Sequence, residues 1–289
     1  MKSYLLLAAL SFAAVQSALA SYPLTVFDFD FRGNNPAEQI RGIHRMGFDG
    51  IAMPLRVPDG LAKLDAYQKA QPDLKLVAGL YLVDTSKPDE LETVHLQNVL
   101  SKLSEMDAKL WLILAGEKGD PAIGKVLAKV ADMAAAKGVN VSIYPHDNRA
   151  VETAEEALVY LKEARRPNLT ISVHQCHEMR GGNTDRLDAV MAAVGPYMDL
   201  VTICGSNQIV HDGNHRWSDA IKPLGEGDYD PKHFLRALKK ANFNGRIILH
   251  TYGLQQKSDS HFEQSLRLYE KMAADVDAES TEPTGTEGK

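Results

Sequence analysis

Cysteine is scarce: Cys176 and Cys204 are the only two in 289 residues. A disulfide framework is therefore not what supports this fold, because a chain of this length has core enough without one. Positive charge is also short, with 32 Lys and Arg against 38 Asp and Glu. That balance disfavours a nucleic-acid partner, whose phosphates are met by Lys and Arg, and disfavours adhesion to anionic lipid. Beyond residue 20 no long apolar run occurs, so no spanning helix is expected there. No Gly-rich dinucleotide fingerprint follows the first candidate strand, which argues against a nucleotide cofactor.

What is present begins with a secretory pattern. Lys2 is followed by an apolar run from Leu5 to Val15 and by Ala18-Leu19-Ala20. The run is shorter than the roughly 18 residues a spanning helix needs. The pattern predicts a signal peptide over 1–20, cleaved after Ala20, and a periplasmic or secreted product. The mature chain would carry 31 basic and 38 acidic residues, a formal charge of −7. At the other end, residues 275–289 hold five acids, two glycines, a proline and no aromatics. Such a composition predicts a disordered acidic tail.

Between these ends, eight short apolar runs alternate with amphipathic stretches. The candidate strands are Leu24–Phe29, Gly50–Leu55, Leu76–Leu82, Leu110–Ala115, Val139–Tyr144, Leu169–Val173, Leu200–Cys204 and Arg246–Thr251. Most are apolar throughout, as parallel strands buried on both faces are. Asn35-Pro36, Asp120-Pro121 and Thr153-Ala154-Glu155-Glu156 read as helix starts. The alternation predicts a single-domain α/β fold over 21–274, a (β/α)8 TIM barrel, with the open doubly wound sheet as its alternative.

A barrel of this kind builds its active site where the strands end. Four of the ten histidines sit there: His146 after the fifth strand, His174 and His177 at the sixth, His250 at the eighth. Imidazole both ligates metals and moves protons near neutral pH. His174 and His177 share a pocket only if the chain turns after His174. Tyr144, Arg56, Tyr81 and Glu117 are candidate holders of substrate hydroxyls, and Asp28, Asp30, Asp84 and Lys118 are weaker ones. Cys176 and Cys204 read as packing residues, as soft ligands or as a pair between neighbouring strand ends. A polar loop, His211-Asp212-Gly213-Asn214-His215, follows the seventh strand.

One stretch carries a family resemblance. It runs Pro223-Leu224-Gly225-Glu226-Gly227-Asp228, then Phe234–Leu238, then Phe243-Asn244-Gly245 and the last strand. With Gly47-Phe48-Asp49-Gly50-Ile51 and Ala134–Val139, it resembles the xylose-isomerase-like superfamily of sugar isomerases and epimerases. Tyr144-Pro145-His146 and Cys176-His177 are similar to an exported bacterial branch of it. The resemblance implies a carbohydrate substrate and proton transfer α to a carbonyl, giving isomerisation or epimerisation. Hydration or elimination of a keto-glycal and a non-catalytic carbohydrate-binding barrel are the alternatives, with a DNA-repair nuclease a third that charge and export disfavour. The superfamily's divalent metal is held by Glu, Asp, His and Glu, and the matching positions here are Tyr144, His174, Thr202 and His250. An imidazole-rich site suits zinc or another transition metal better than magnesium, or works with no metal. On that reading His174 and His250 hold the metal or the enolate. His146 and His177 then transfer protons, with Glu178 orienting them.

Overall fold

The structure is a computed structural model that describes residues 18, 19, 22–29, 31–57, 59–210, 216–254 and 260–279. Strand and helix alternate from the start: β1 (Leu24–Phe27), α1 (Pro36–Met46), β2 (Ile51–Pro54), α2 (Asp59–Ala70), β3 (Leu76–Asp84), α3 (Val94–Glu105), β4 (Lys109–Ala115) and α4 (Ile123–Ala135). The second half continues with β5 (Val141–Ile143), α5 (Ala154–Ala164), β6 (Leu169–His174), α6 (Gln175–Glu178), α7 (Leu187–Val194) and β7 (Met198–Ile203). It ends with α8 (Trp217–Ala220), α9 (Lys232–Lys240), β8 (Arg246–Leu249) and α10 (Ser260–Glu279). All eight strands are parallel, and β8 pairs with β1, so the sheet closes as a (β/α)8 barrel.

Local chemistry places the helix starts as the sequence suggests. The Asn35 side chain accepts from the Glu38 amide ahead of Pro36, and Thr153 accepts from the Glu156 amide at the head of α5. Gly138, at a φ of 72°, adopts the left-handed backbone in the link from α4 to β5. Two apolar layers result. Phe27, Ala52, Ala78, Leu80, Trp111, Ile113, Tyr144, Leu200 and Ile248 fill the barrel, while a larger layer packs the helices on its outside.

Residues 275–279 depart from the disorder their composition suggests. Residues 275–279 belong to α10, where Val276 is buried. Asp275, Asp277 and Glu279 pair with Lys232, Lys239 and Arg236 of α9, so cross-helix ion pairs extend a segment that has little apolar surface of its own. The remaining tail, the 211–215 loop, Asp30 and most of the expected signal peptide lie outside the described residues. Among the described residues no helix is long and apolar enough to cross a membrane.

Candidate active site

At the strand C-termini a cavity of about 270 Å³ opens. Its aromatic wall is Phe29, Tyr144, Trp217 and Tyr252, its imidazoles are His146, His177 and His250, and Arg56 and Arg149 add two guanidiniums. Leu80, Leu82, Ile113 and Ile221 complete it, and no carboxylate lines it among the described residues.

The histidines arrive by distinct routes. The chain does turn after His174, because α6 starts at Gln175, and this swings His177 back over the barrel mouth. Its ring centroid lies 4.1 Å from that of His146 and 6.3 Å from that of His250. His174 is different. It lies beneath the cavity, with the Tyr144 ring stacked on it at 3.6 Å between centroids. Both of its nitrogens are engaged, Nε2 with Ser172 Oγ at 2.7 Å and Nδ1 with Thr202 Oγ1 at 3.1 Å.

Proton bookkeeping fixes each ring, since a hydroxyl has one proton to give. Ser172 Oγ donates to the Ile143 carbonyl and accepts from Trp111 Nε1. It must therefore accept from His174 Nε2–H as well, and Thr202 then donates to Nδ1. In His177, Nδ1 accepts from the Asp147 amide at 3.2 Å, so Nε2 carries the proton and points it at Tyr144 Oη, 3.3 Å away. His250 repeats the pattern: Nδ1 faces the Tyr252 amide at 3.4 Å, and Nε2 lies 3.4 Å from the same Oη. His146 is reversed. Its Nδ1 lies 2.6 Å from the Asp147 carbonyl, which only accepts, so Nδ1 holds the proton and Nε2 keeps its lone pair.

Burial sets the charge states. It holds His174 and His177 well below the ordinary imidazole range, with help from the neighbouring rings, and lowers His250 to about 3. Burial lowers His146 too, against an upward pull from the Asp147 carbonyl. Tyr144 is pushed well up, by burial first and then by the two thiols. Near neutral pH the site therefore holds neutral imidazoles and a protonated phenol.

The other expected site residues lie elsewhere. Tyr81 faces the helices, against His95, because Leu80 and Leu82 on either side of it take the cavity face. Glu117 is exposed in the loop after β4, away from the cavity. Glu178 does not touch the histidines. Its carboxylate is buried and accepts from the Ala154 amide at 2.7 Å and from Asn183 Nδ2 at 2.6 Å, so it anchors the head of α5. Asp28 is held by Lys63 and Tyr67, and Lys118 by Glu152 and Glu156. Cys176 and Cys204 are free and buried. Arg149, Trp217, Asp147 and Arg180 were not singled out from the sequence. Asp147 binds Arg180 at 2.7 Å, and that guanidinium lies 4.3 Å from the Trp217 ring, which pins Trp217 beside His177. Only the polar stretch after β5 offered a signal for these residues. The pairing of Trp217 with Arg180 spans elements far apart in the chain.

A metal of the kind the resemblance implies would have to bind through these side chains. His174 offers no free nitrogen. Cys176, His177 and His250 bring donor atoms within 4.8 Å of one another, the one such group among the described residues. A thiol and two imidazoles match a soft ion such as zinc, and a wall with no carboxylate among the described residues does not match magnesium. Yet both imidazoles turn protonated nitrogens inward. Binding through them would require both rings to change tautomer and set N–H against the amides of Asp147 and Tyr252. As hydrogen-bonded here, the residues do not fit a resident ion.

Comparison with known proteins agrees with this architecture. Ketose 3-epimerase of Arthrobacter globiformis is 28% identical over 130 residues, which is 44% of this chain and 39% of that protein. The chain thus matches about two fifths of the relative's length. The structure of 3-keto-D-glucoside 4-epimerase (YcjR) from E. coli superposes with a TM-score of 0.68 at 17% identity, covering 86% of this chain and 99% of that one. The IolI protein with a bound zinc atom gives 0.62 at 16%, covering 89% and 98%. At such identities the likeness carries the fold alone. The family model for the xylose isomerase-like TIM barrel matches residues 40–272, and the chain belongs to that family.

Proposed function

We propose that this chain is an isomerase- or epimerase-like enzyme that moves a proton α to the carbonyl of a keto-sugar. One observation carries the reading. His146 lines the cavity as a neutral imidazole whose tautomer is locked by the Asp147 carbonyl, leaving Nε2 as a base with no other partner among the described residues. A positioned base with a pKa at or below neutrality abstracts a proton without first having to lose one. Trp217, Phe29 and Tyr252 offer flat apolar surface to the C–H face of a sugar ring. The two epimerases named above act on keto-sugars by their names, which supports the same substrate class.

Incubation with a panel of ketoses and 3-keto-glycosides in deuterated water tests this. NMR should show exchange of an α-proton, and His146→Gln should slow it by about 10²-fold or more. Addition of water across a double bond, seen by mass, would move the assignment to the hydratase alternative. Binding without exchange for every sugar would sink the enzyme reading.

We also infer export, from Lys2, the Leu5–Val15 run and Ala18-Leu19-Ala20. Cleavage after Ala20 would remove Leu19, whose carbonyl is 3.5 Å from Tyr269 Oη. The same hydroxyl keeps the Tyr22 carbonyl at 2.9 Å, while the buried Leu19 side chain and its amide's bond to Asp277 would be lost. Protein from the cell envelope should begin at Ser21, and retention of Met1 would refute it.

A further inference from the structure

We propose that the Tyr144 hydroxyl does here what a divalent ion does in the resembled superfamily, polarising the substrate carbonyl, and that the enzyme needs no metal. The inference rests on the proton-transfer reading above for its chemistry, but not for its geometry.

The geometry begins with the four positions that match the superfamily's ligands. For a metal site they would turn lone pairs toward one point. Here they engage each other. Tyr144 stacks on His174, His174 bonds Thr202, and Tyr144 Oη meets His250. A second imidazole, His177, completes the set around the hydroxyl. Electrostatics point the same way, since a dication would join Arg56 and Arg149 in a wall that shows no carboxylate among the described residues.

Tyr144 Oη therefore accepts N–H from two neutral imidazoles at 3.3 and 3.4 Å. Its own proton has no acceptor among the described residues and is left for whatever enters the cavity. That is the arrangement of an oxyanion site: a donor on a buried residue, fixed before the substrate arrives. The step balances. The C–H pair becomes the carbon–carbon π bond as His146 Nε2 takes the proton. The carbonyl π pair moves onto oxygen, which receives the Tyr144 proton, wholly or as a short hydrogen bond. Charge left on the phenol oxygen is held by the two N–H donors. His146 then returns a proton to carbon, the carbonyl re-forms as its oxygen hands the other proton back to Tyr144, and no oxidant, reductant or ion takes part.

Three measurements on the full chain decide the metal half without substrate. Protein purified without chelator should contain far less than one equivalent of any transition metal by elemental analysis. Zinc, manganese, cobalt and magnesium should leave its melting temperature unchanged. Nitrogen-15 NMR of the imidazoles should show the Nε2–H tautomer in His177 and His250 and the Nδ1–H tautomer in His146. Stoichiometric metal retained through dialysis, or zinc-dependent shifts of the His177 and His250 nitrogens, would overturn the proposal. The chemical half uses chelator-dialysed enzyme, which should keep its α-proton exchange. Tyr144→Phe should cut kcat by about 10²–10³-fold, the loss expected for one oxyanion donor, with KM nearly unchanged. Exchange that vanishes on dialysis and returns with zinc overturns this proposal and leaves the proposed function standing. No exchange by any form removes the proposed function and with it Tyr144's catalytic role, while the NMR and metal titrations still decide the metal question.

Discussion

Replacing Glu178 with glutamine should change how stability responds to pH and leave the chemistry in place. The carboxylate is completely buried, and burial lifts its pKa from the ordinary 4.5 to about 7, with Glu155 and Glu156 adding to the rise. The Ala154 amide and Asn183 pull the other way and only partly offset it. Because the folded pKa lies above the unfolded one, the native state binds the proton more tightly. The stabilisation is full below about pH 4.5 and is lost as pH rises through about 7. At about 1.4 kcal/mol per pH unit, that shift makes the wild type lose about 3 kcal/mol across the window. Glu178→Gln cannot titrate. Urea denaturation at steps between pH 4.5 and 8 should therefore show the stability gap moving by about 3 kcal/mol in the variant's favour as pH rises. Parallel curves for the two proteins would refute the assignment of a shifted proton to Glu178. So would a variant with unchanged stability that had lost turnover, since Glu178 would then act on substrate.

Ser172→Ala strands two buried donors, Trp111 Nε1–H and His174 Nε2–H. At about 1–3 kcal/mol each, the melting temperature should fall by at least about 4 °C, and a fall within 1 °C would contradict the proton assignment. Arg56 and Arg149 face the cavity without a carboxylate partner among the described residues. Keto-sugars bearing a carboxylate or phosphate should therefore bind more tightly than neutral ones. Arg149→Gln should weaken them by roughly tenfold while sparing neutral sugars, measured by calorimetry; equal losses for both classes would exclude anion recognition.

The barrel was legible because its strands are buried on both sides, which leaves apolar runs that stand out against amphipathic helices. The rule that sites gather at strand ends then led to His146, His177, His250 and Tyr144. It could not tell His174 from the others, because a ring beneath the cavity and a ring in its wall look alike in a sequence. What separates them is the hydroxyl pair Ser172 and Thr202, contributed by β6 and β7. Tyr81 was misplaced for a related reason. Strand alternation gives two faces but does not name which one turns inward. Glu178 was misread because adjacency to His177 in the chain counts for little where a helix begins. One residue on, its side chain has left for the head of α5.

The wire from Trp111 through Ser172 and His174 to Thr202 runs beneath the cavity and joins β4, β6 and β7. A floor built this way tolerates little tinkering, since any one change leaves a polar atom stranded in the barrel. The upper walls are under no such restraint. Arg149, Trp217 and Tyr252 hang from the connections after β5, β7 and β8, so exchanging loops reshapes the upper cavity while the hydroxyl below stays where it is.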